Sequence, residues 1–379
     1  MLKTENWKLE TDILRLIIRA PNPLGDALMA LPAMAAVRAA MAGRQLIVAA
    51  SPGVAPLFSE ITAVSPDVTL VVDKRREAAQ LRELRADAIV LLTNSFRTAW
   101  AARQAAIPQR WGYRAHARSL LLTRAVARPR TRVHQSEYYL HLVRELGLGA
   151  EGSGLGLTPL RPRSDPGLTP LRPRSDPGLT PTLRITPATR ARTDAFLAQL
   201  GVDRSTPLVG LAPGAAYGHA KRWPPQRVAE LVARLTAGGA TCLLVGAEGD
   251  RSAGREIESV LPPGSRVVNV IGRTDLRLFA GLLASCHAFV SNDSGAMHLA
   301  AAAGVPVAAI FGPTDERVTA PLGNHDVIIH QVFCRPCMLR DCPIDHRCMR
   351  GISVDTVFDA VSRRLATDVT AARSAGCDV

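Results

Sequence analysis

Three loops bring reactive side chains together with the small residues that let a ligand approach the backbone. Pro21-Asn22-Pro23-Leu24-Gly25-Asp26 follows an apolar run at 13–18 and ends on a carboxylate at a helix start. Asp in that place most commonly caps the helix. A carboxylate there can also act as a general base if it reaches a substrate hydroxyl. The second loop, residues 213–224, reads P-G-A-A-Y-G-H-A-K-R-W-P, with Lys221 and Arg222 just before a helical stretch. Two cations beside small residues suit a phosphate, although a surface turn with incidental charges fits the same letters. The spacing is not that of a Walker A loop. In the third loop, Ser291-Asn292-Asp293-Ser294-Gly295-Ala296-Met297-His298 turns a strand end into an alanine-rich helix. Free N–H groups at residues 294–297 favour an anion there. Asp293 or Ser294 can equally cap that helix, and His298 can be a satisfied inner-face histidine.

The cysteines pose a separate question. Cys334, Cys337, Cys342 and Cys348 form C-x2-C-x4-C-x5-C with His346 interleaved. Four thiols so close allow a tetrahedral structural zinc or, less readily, an iron–sulfur cluster. Reduced thiols or a disulfide are the alternatives. Cys242 and Cys286 sit in apolar runs and belong to the core; Cys377 lies in a tail.

Elements that could position these loops alternate along the chain. Residues 13–18, 45–49, 68–72 and 88–92 read as buried strands. Leu24, Leu28, Leu31, Met34, Val37 and Met41 recur at helical spacing, and Pro32 should kink that helix or lie in its first turns. Later strands are expected at 207–212, 241–246, 266–271, 287–291 and 305–311. Helices are expected around 225–235, 251–260, 275–284 and 295–303. This rhythm predicts an α/β chain with two doubly wound parallel sheets and a ligand cleft between domains. Expected boundaries are a first domain at 1–153, a linker at 154–187, a second domain at 188–366 containing the cysteine segment 334–348, and a tail at 367–379. In the linker, GLTPLRPRSDP at 156–166 is repeated letter for letter at 167–177. Its prolines forbid helix and regular sheet, so it reads as a duplicated spacer.

The chain of 379 residues carries a net charge of +13, and that charge is local. Residues 97–132 hold nine arginines and no acid, residues 156–190 hold six arginines against Asp165 and Asp176, and the rest balances. Such basicity admits nucleic acid or an anionic membrane surface as partner. No nucleic-acid motif is present, and few aromatics interleave the arginines. Hydrophobic residues make up 47% of the chain, which argues against disorder. Residues 1–12 lack the apolar core of a signal peptide, and no clean membrane span is seen. A soluble, cytoplasmic protein, touching an anionic membrane surface at most, is expected.

The set G-D (25–26), N-S-F-R (94–97), the 213–224 motif, N-D-S-G-x-M-H-x-A-A-A (292–302) and F-G-P-T-D (311–315) resembles the bacterial heptosyltransferases of glycosyltransferase family 9. Within that family it is most similar to the branch adding the second heptose of the lipopolysaccharide inner core. The resemblance implies a GT-B fold of two Rossmann-like domains, acceptor on the first and nucleotide sugar on the second. It implies inverting, metal-independent transfer from ADP-heptose to an inner-core glycolipid, with no cofactor and no nucleic-acid partner. A family relative with another donor or acceptor is the nearest alternative; a non-enzymatic nucleic-acid binder is a distant one. Carried onto this chain, Asp26 matches the base, Lys221 the phosphate-binding lysine and Glu248 the ribose-binding acid. Asp293, Ser294, Gly295 and His298 match the donor loop. Asn94, Arg97 and Arg114 are the candidates for the acceptor's carboxylates and phosphates.

Overall fold

The structure, a computed structural model, describes residues 13–149, 180–215 and 218–375. They divide into two compact units, the second starting at Leu183. The repeat at 156–177 and Cys377 lie outside the described residues.

The first unit is built on a sheet of six parallel strands, β1 (Arg15–Arg19), β2 (Gln45–Ala50), β4 (Val68–Val71), β5 (Ala88–Leu91), β6 (Gln109–Tyr113) and β7 (Arg124–Val126), in the order β4-β2-β1-β5-β6-β7. A two-residue strand, β3 (Ile61–Thr62), stands outside it. The central strands are continuous apolar runs because helices cover both faces of a parallel sheet; Leu16, Ile17 and Ile18 of β1 have no solvent contact. The helices are α1 (Leu24–Ala40), α2 (Glu77–Glu83), α3 (Phe96–Gln104) and α4 (Gln135–Glu145). Helix α1 is buried along most of its length and packs on α4. Pro32 lies in the interior of α1, not in its first turns, and the helix runs through it. The missing N–H leaves the Leu28 carbonyl without its usual helical donor.

The second unit repeats the plan with β9 (Leu208–Ala212), β10 (Thr241–Leu244), β11 (Val267–Asn269), β12 (Ala288–Asn292), β13 (Val307–Phe311) and β14 (His325–Ile329). These are all parallel, in the order β11-β10-β9-β12-β13-β14. A short β8 (Leu183–Arg184) and α5 (Pro187–Gln199) come first; α6 (Pro225–Ala237), α7 (Arg251–Ser259), α8 (Leu276–Ala284), α9 (Gly295–Ala302), α10 (Glu316–Thr319), α11 (Arg347–Arg350) and α12 (Val354–Ala375) follow. Val228, Leu231, Val232 and Leu235 of α6 share one core with Val357 and Val361 of α12.

In each sheet the winding reverses once, between β1 and β5 in the first unit and between β9 and β12 in the second. Loops leaving the carboxyl ends of two such strands diverge to opposite sides, and the crevice they leave is where ligands of open α/β sheets bind. The G-D and N-S-F-R motifs lie at the first reversal, and the 213–224 and N-D-S-G motifs at the second.

Candidate functional site

At the first reversal, Asp26 follows β1. The N-cap of α1 is Pro23, which offers no side-chain hydrogen bond, so Asp26 is not the helix cap. A proline cannot cap through a side chain, yet its extended backbone still starts the helix. Asp26 instead occupies the first turn, half-buried, and among the described residues no hydrogen bond or ion pair engages its carboxylate. Burial raises its pKa above the usual carboxylate value. A carboxylate both unpaired and partly desolvated is a better proton acceptor than an ordinary surface Asp.

Across the reversal, β5 leads to Asn94 and to α3, whose N-cap is Ser95. Asn94 donates from Nδ2 to the Tyr138 hydroxyl at 3.0 Å. Arg97 and the buried Arg19 both engage the buried Glu77 carboxylate, Arg19 through Nε at 2.7 Å. One carboxylate thus serves two guanidinium groups. Arg114, at the end of β6, is exposed.

Sequence reasoning missed Arg118. It is 1% exposed, in the 3-10 turn His116–Leu121, and its guanidinium lies over Gly112 of β6. A Cβ at residue 112 would sit 2.7 Å from Arg118 Nη2, so glycine is required there for the side chain to fit. Nη1 donates to Asn94 Oδ1 at 3.2 Å, while Nε and Nη2 are buried with no partner among the described residues. Burial lowers its pKa to about 10, leaving it a cation at neutral pH. Buried donors without acceptors are costly, and a guanidinium in that state is suited to an incoming anion. The only signal in the sequence is that apolar letters follow it. Arg110 and Arg124, by contrast, spend their donors on backbone carbonyls, those of Leu121 and Leu146 among others.

At the second reversal, Lys221 and Asp293 meet, with Nζ and Oδ2 2.6 Å apart. The Thr314 hydroxyl of the F-G-P-T-D loop donates to the same oxygen at 2.7 Å. Loops after β9, β12 and β13 therefore converge on one carboxylate. Asn292 ties the first two together: Nδ2 donates to the Pro213 carbonyl at 2.8 Å, and Oδ1 accepts from the Trp223 N–H at 3.2 Å. Ser294 is the N-cap of α9, its hydroxyl accepting from the Ala296 N–H at 3.3 Å. Gly295 opens the helix and His298 is buried on it.

Glu248 leads the 3-10 turn after β10, exposed and paired with Arg251 at 2.9 Å. Asp250 of the same turn was not singled out from sequence. Its carboxylate lies over Gly214, where a Cβ would come within 2.0 Å of it. Gly214 of the 213–224 loop therefore makes room for this acid.

The cysteine segment runs across these loops. The Arg340 carbonyl accepts from the Ala220 N–H at 3.0 Å, and the Met338 N–H donates to the Pro313 carbonyl at 2.8 Å. Arg335 donates to the carbonyls of Gly312 and Thr314 at 2.7 and 3.1 Å. Cys334, Cys337, Cys342 and Cys348 are free thiols. Among the described residues no group of three or more His, Cys, Asp or Glu side chains is arranged to hold a metal ion. Around Cys342, burial opposes ionisation, but N–H groups of Ile344, His346 and Asp345 outweigh it and hold the thiol below its usual pKa.

The model of glycosyltransferase family 9 (heptosyltransferase) matches residues 75–160 and 174–347. Lipooligosaccharide heptosyltransferase 2 of Haemophilus influenzae is 32% identical over 68% of this chain and 69% of its own. Lipopolysaccharide heptosyltransferase 2 of Escherichia coli is 29% identical over 84% of this chain and 88% of its own. Among solved structures, the E. coli ADP-heptose lipopolysaccharide heptosyltransferase II aligns with a TM-score of 0.73 at 26% identity, covering 93% of this chain and 99% of that one. A family 9 glycosyltransferase from Veillonella parvula shares the fold, with a TM-score of 0.76 at 19% identity over 95% of this chain and 99% of that one.

Proposed function

The chain belongs to glycosyltransferase family 9, the heptosyltransferases, and we propose that it transfers a heptose from ADP-heptose to the heptosylated inner core of lipopolysaccharide as the second heptose. Its two parallel-sheet units are the Rossmann-like halves of a GT-B enzyme. The observation that carries the site assignment is the convergence of Lys221, Asp293 and Thr314 at the second reversal, which supports a diphosphate-binding position there.

In the proposed reaction, the acceptor hydroxyl oxygen attacks the anomeric carbon from the face opposite the nucleotide. The bond from that carbon to the diphosphate oxygen breaks and the configuration inverts. Asp26 takes the hydroxyl proton; its raised pKa and unpaired carboxylate support that role. Negative charge grows on the departing ADP, and the Lys221 ammonium with the N–H groups opening α9 stabilises it. Glu248 accepts from the ribose hydroxyls. Asn94, Arg97 and Arg114 hold the acceptor's carboxylates and phosphates, and Arg118 joins them with Nε and Nη2, buried nitrogens that have no partner among the described residues. No metal takes part in transfer. The enzyme works in the cytoplasm, at the inner face of the inner membrane, with its arginine-rich face toward anionic lipid. Among the described residues no helix is long and apolar enough to cross a membrane.

Incubation with ADP-heptose and a heptosylated inner-core acceptor, followed by mass spectrometry, tests the assignment. A product heavier by one heptose is expected; an unmodified acceptor alongside intact ADP binding would overturn the substrate pair.

A further inference from the structure

Besides Leu14, Ile61, Val68 and Val71, the first unit exposes Phe96, Trp100 and Leu120, which lie on α3 and on the 3-10 turn packed against it. Phe96 and Trp100 of α3 are 51% and 45% exposed, and their rings stack at 6.2 Å and 13°. Leu120, 88% exposed, sits on the 3-10 turn that packs against α3; its neighbour Leu121 shares a core with Ala99 and Ala102 of that helix. Leaving three such side chains in water forgoes burial that a folded chain normally achieves, unless something else covers them. The charge of this stretch of chain has one sign. Arg103, Arg128 and Arg130 are exposed, and residues 97–132 contain no acid. On α2, which packs against α3, Glu77 is consumed by Arg19 and Arg97, leaving Glu83 as the other acid of that helix.

We propose that Phe96, Trp100 and Leu120 form a membrane-docking patch that enters the headgroup–acyl boundary of an anionic bilayer while the surrounding arginines bind lipid phosphates. Aromatic rings settle at the headgroup level, and each basic residue near an anionic surface adds to the attraction. A protruding leucine distinguishes this surface from a nucleic-acid platform, which stacks bases on rings but has no use for an aliphatic tip. The inference deepens the glycolipid-acceptor proposal and rests on it for its purpose, since docking would bring the acceptor-side arginines to the plane where such a lipid's sugars lie.

Vesicle binding without any acceptor tests docking apart from transfer. The full chain is sedimented with vesicles of phosphatidylcholine alone or with about one-third phosphatidylglycerol. Binding to the anionic vesicles only, weakening with salt, is expected. Phe96→Ser/Trp100→Ser/Leu120→Ser should lower that affinity at least about tenfold, as loss of three buried apolar groups requires. It should leave ADP affinity and thermal stability unchanged, which separates lost docking from misfolding. Brominated lipid should quench Trp100 fluorescence in the wild type and not in Trp100→Phe. Wild-type binding by the triple variant, no binding to anionic vesicles, or displacement from vesicles by a short oligonucleotide at equal charge concentration would each overturn the proposal. Loss of transfer with vesicle binding intact would instead count against the acceptor assignment.

Discussion

Replacing Lys221 by Ala should leave a nearly buried carboxylate without its cation. Asp293 is 8% exposed, Lys221 is 11% exposed, and their charged atoms are 2.6 Å apart. Removing one member of a buried pair costs about 3–5 kcal/mol when nothing takes its place. Here the Thr314 hydrogen bond to Asp293 survives, and the residual exposure admits some water, so about 2–3 kcal/mol is expected. At about 2–4 °C per kcal/mol for a unit of this size, the second unit's melting transition should fall by about 4–12 °C. Asp293→Asn should cost a comparable amount. Lys221→Ala with Asp293→Asn removes both charges and should recover about 2 kcal/mol relative to the sum of the single changes. Calorimetry reads the stabilities, the relevant transition being the one that ADP shifts upward, and titration calorimetry reads ADP affinity. That affinity should drop at least about tenfold in both variants lacking the lysine, because an ammonium–phosphate contact is charge-assisted. Additivity within about 0.5 kcal/mol would refute the coupled pair. Recovered ADP affinity in the double variant would show Lys221 to be a structural partner of Asp293 and no phosphate ligand.

Asp26→Asn should reduce kcat by about a hundredfold or more while raising thermal stability at neutral pH. The sign follows from the raised native pKa. Between the unfolded and native values the native state binds more protons, so this group's contribution falls as pH rises through that window and stays low above it. The stability gain of the variant should therefore vanish below the unfolded carboxylate value, and a variant no more stable at pH 7 than the wild type would contradict the desolvated carboxylate. Arg118→Met should raise the acceptor KM about 10–100-fold with ADP affinity unchanged, the worth of a charge-assisted contact; an unchanged acceptor KM in steady-state kinetics would remove Arg118 from the acceptor site. Chelation with EDTA should leave the transfer rate unaltered, and a fall in rate while circular dichroism shows intact structure would contradict transfer without a metal.

The interior strands were legible because burial on both faces demands unbroken apolar runs, as in the β1, β9 and β13 segments. The edge strands β7 and β14 were not, since polar letters such as His325-Asp326 are tolerated on a strand with one open side, and neither was β6 beside β7, where Gln109 and Arg110 break the apolar run. Helix α3 was equally hidden: its small alanines pack inward while Phe96 and Trp100 point to solvent, inverting the usual amphipathic pattern. At the site, Lys221 and the N-D-S-G loop stood out because charge and small residues cluster locally. Arg118 did not, because what distinguishes it is burial over Gly112, a contact between β6 and a later turn that no local spacing encodes. The cap assigned to Asp26 failed for a similar reason: Pro23 begins the helix three residues earlier, and the carboxylate is free for other work.

The cysteine segment ties the Ala220 and Pro313 backbones to a stretch of chain more than twenty residues beyond the later of them. Neither loop can then open alone. Lys221 and Thr314, which approach one carboxylate from different strands, inherit the unfolding free energy of residues 334–348, and amide protons of both loops should exchange at a common rate. A protease nick in that segment would slacken both at once, so the two loops behave as a single cooperative body held by that segment.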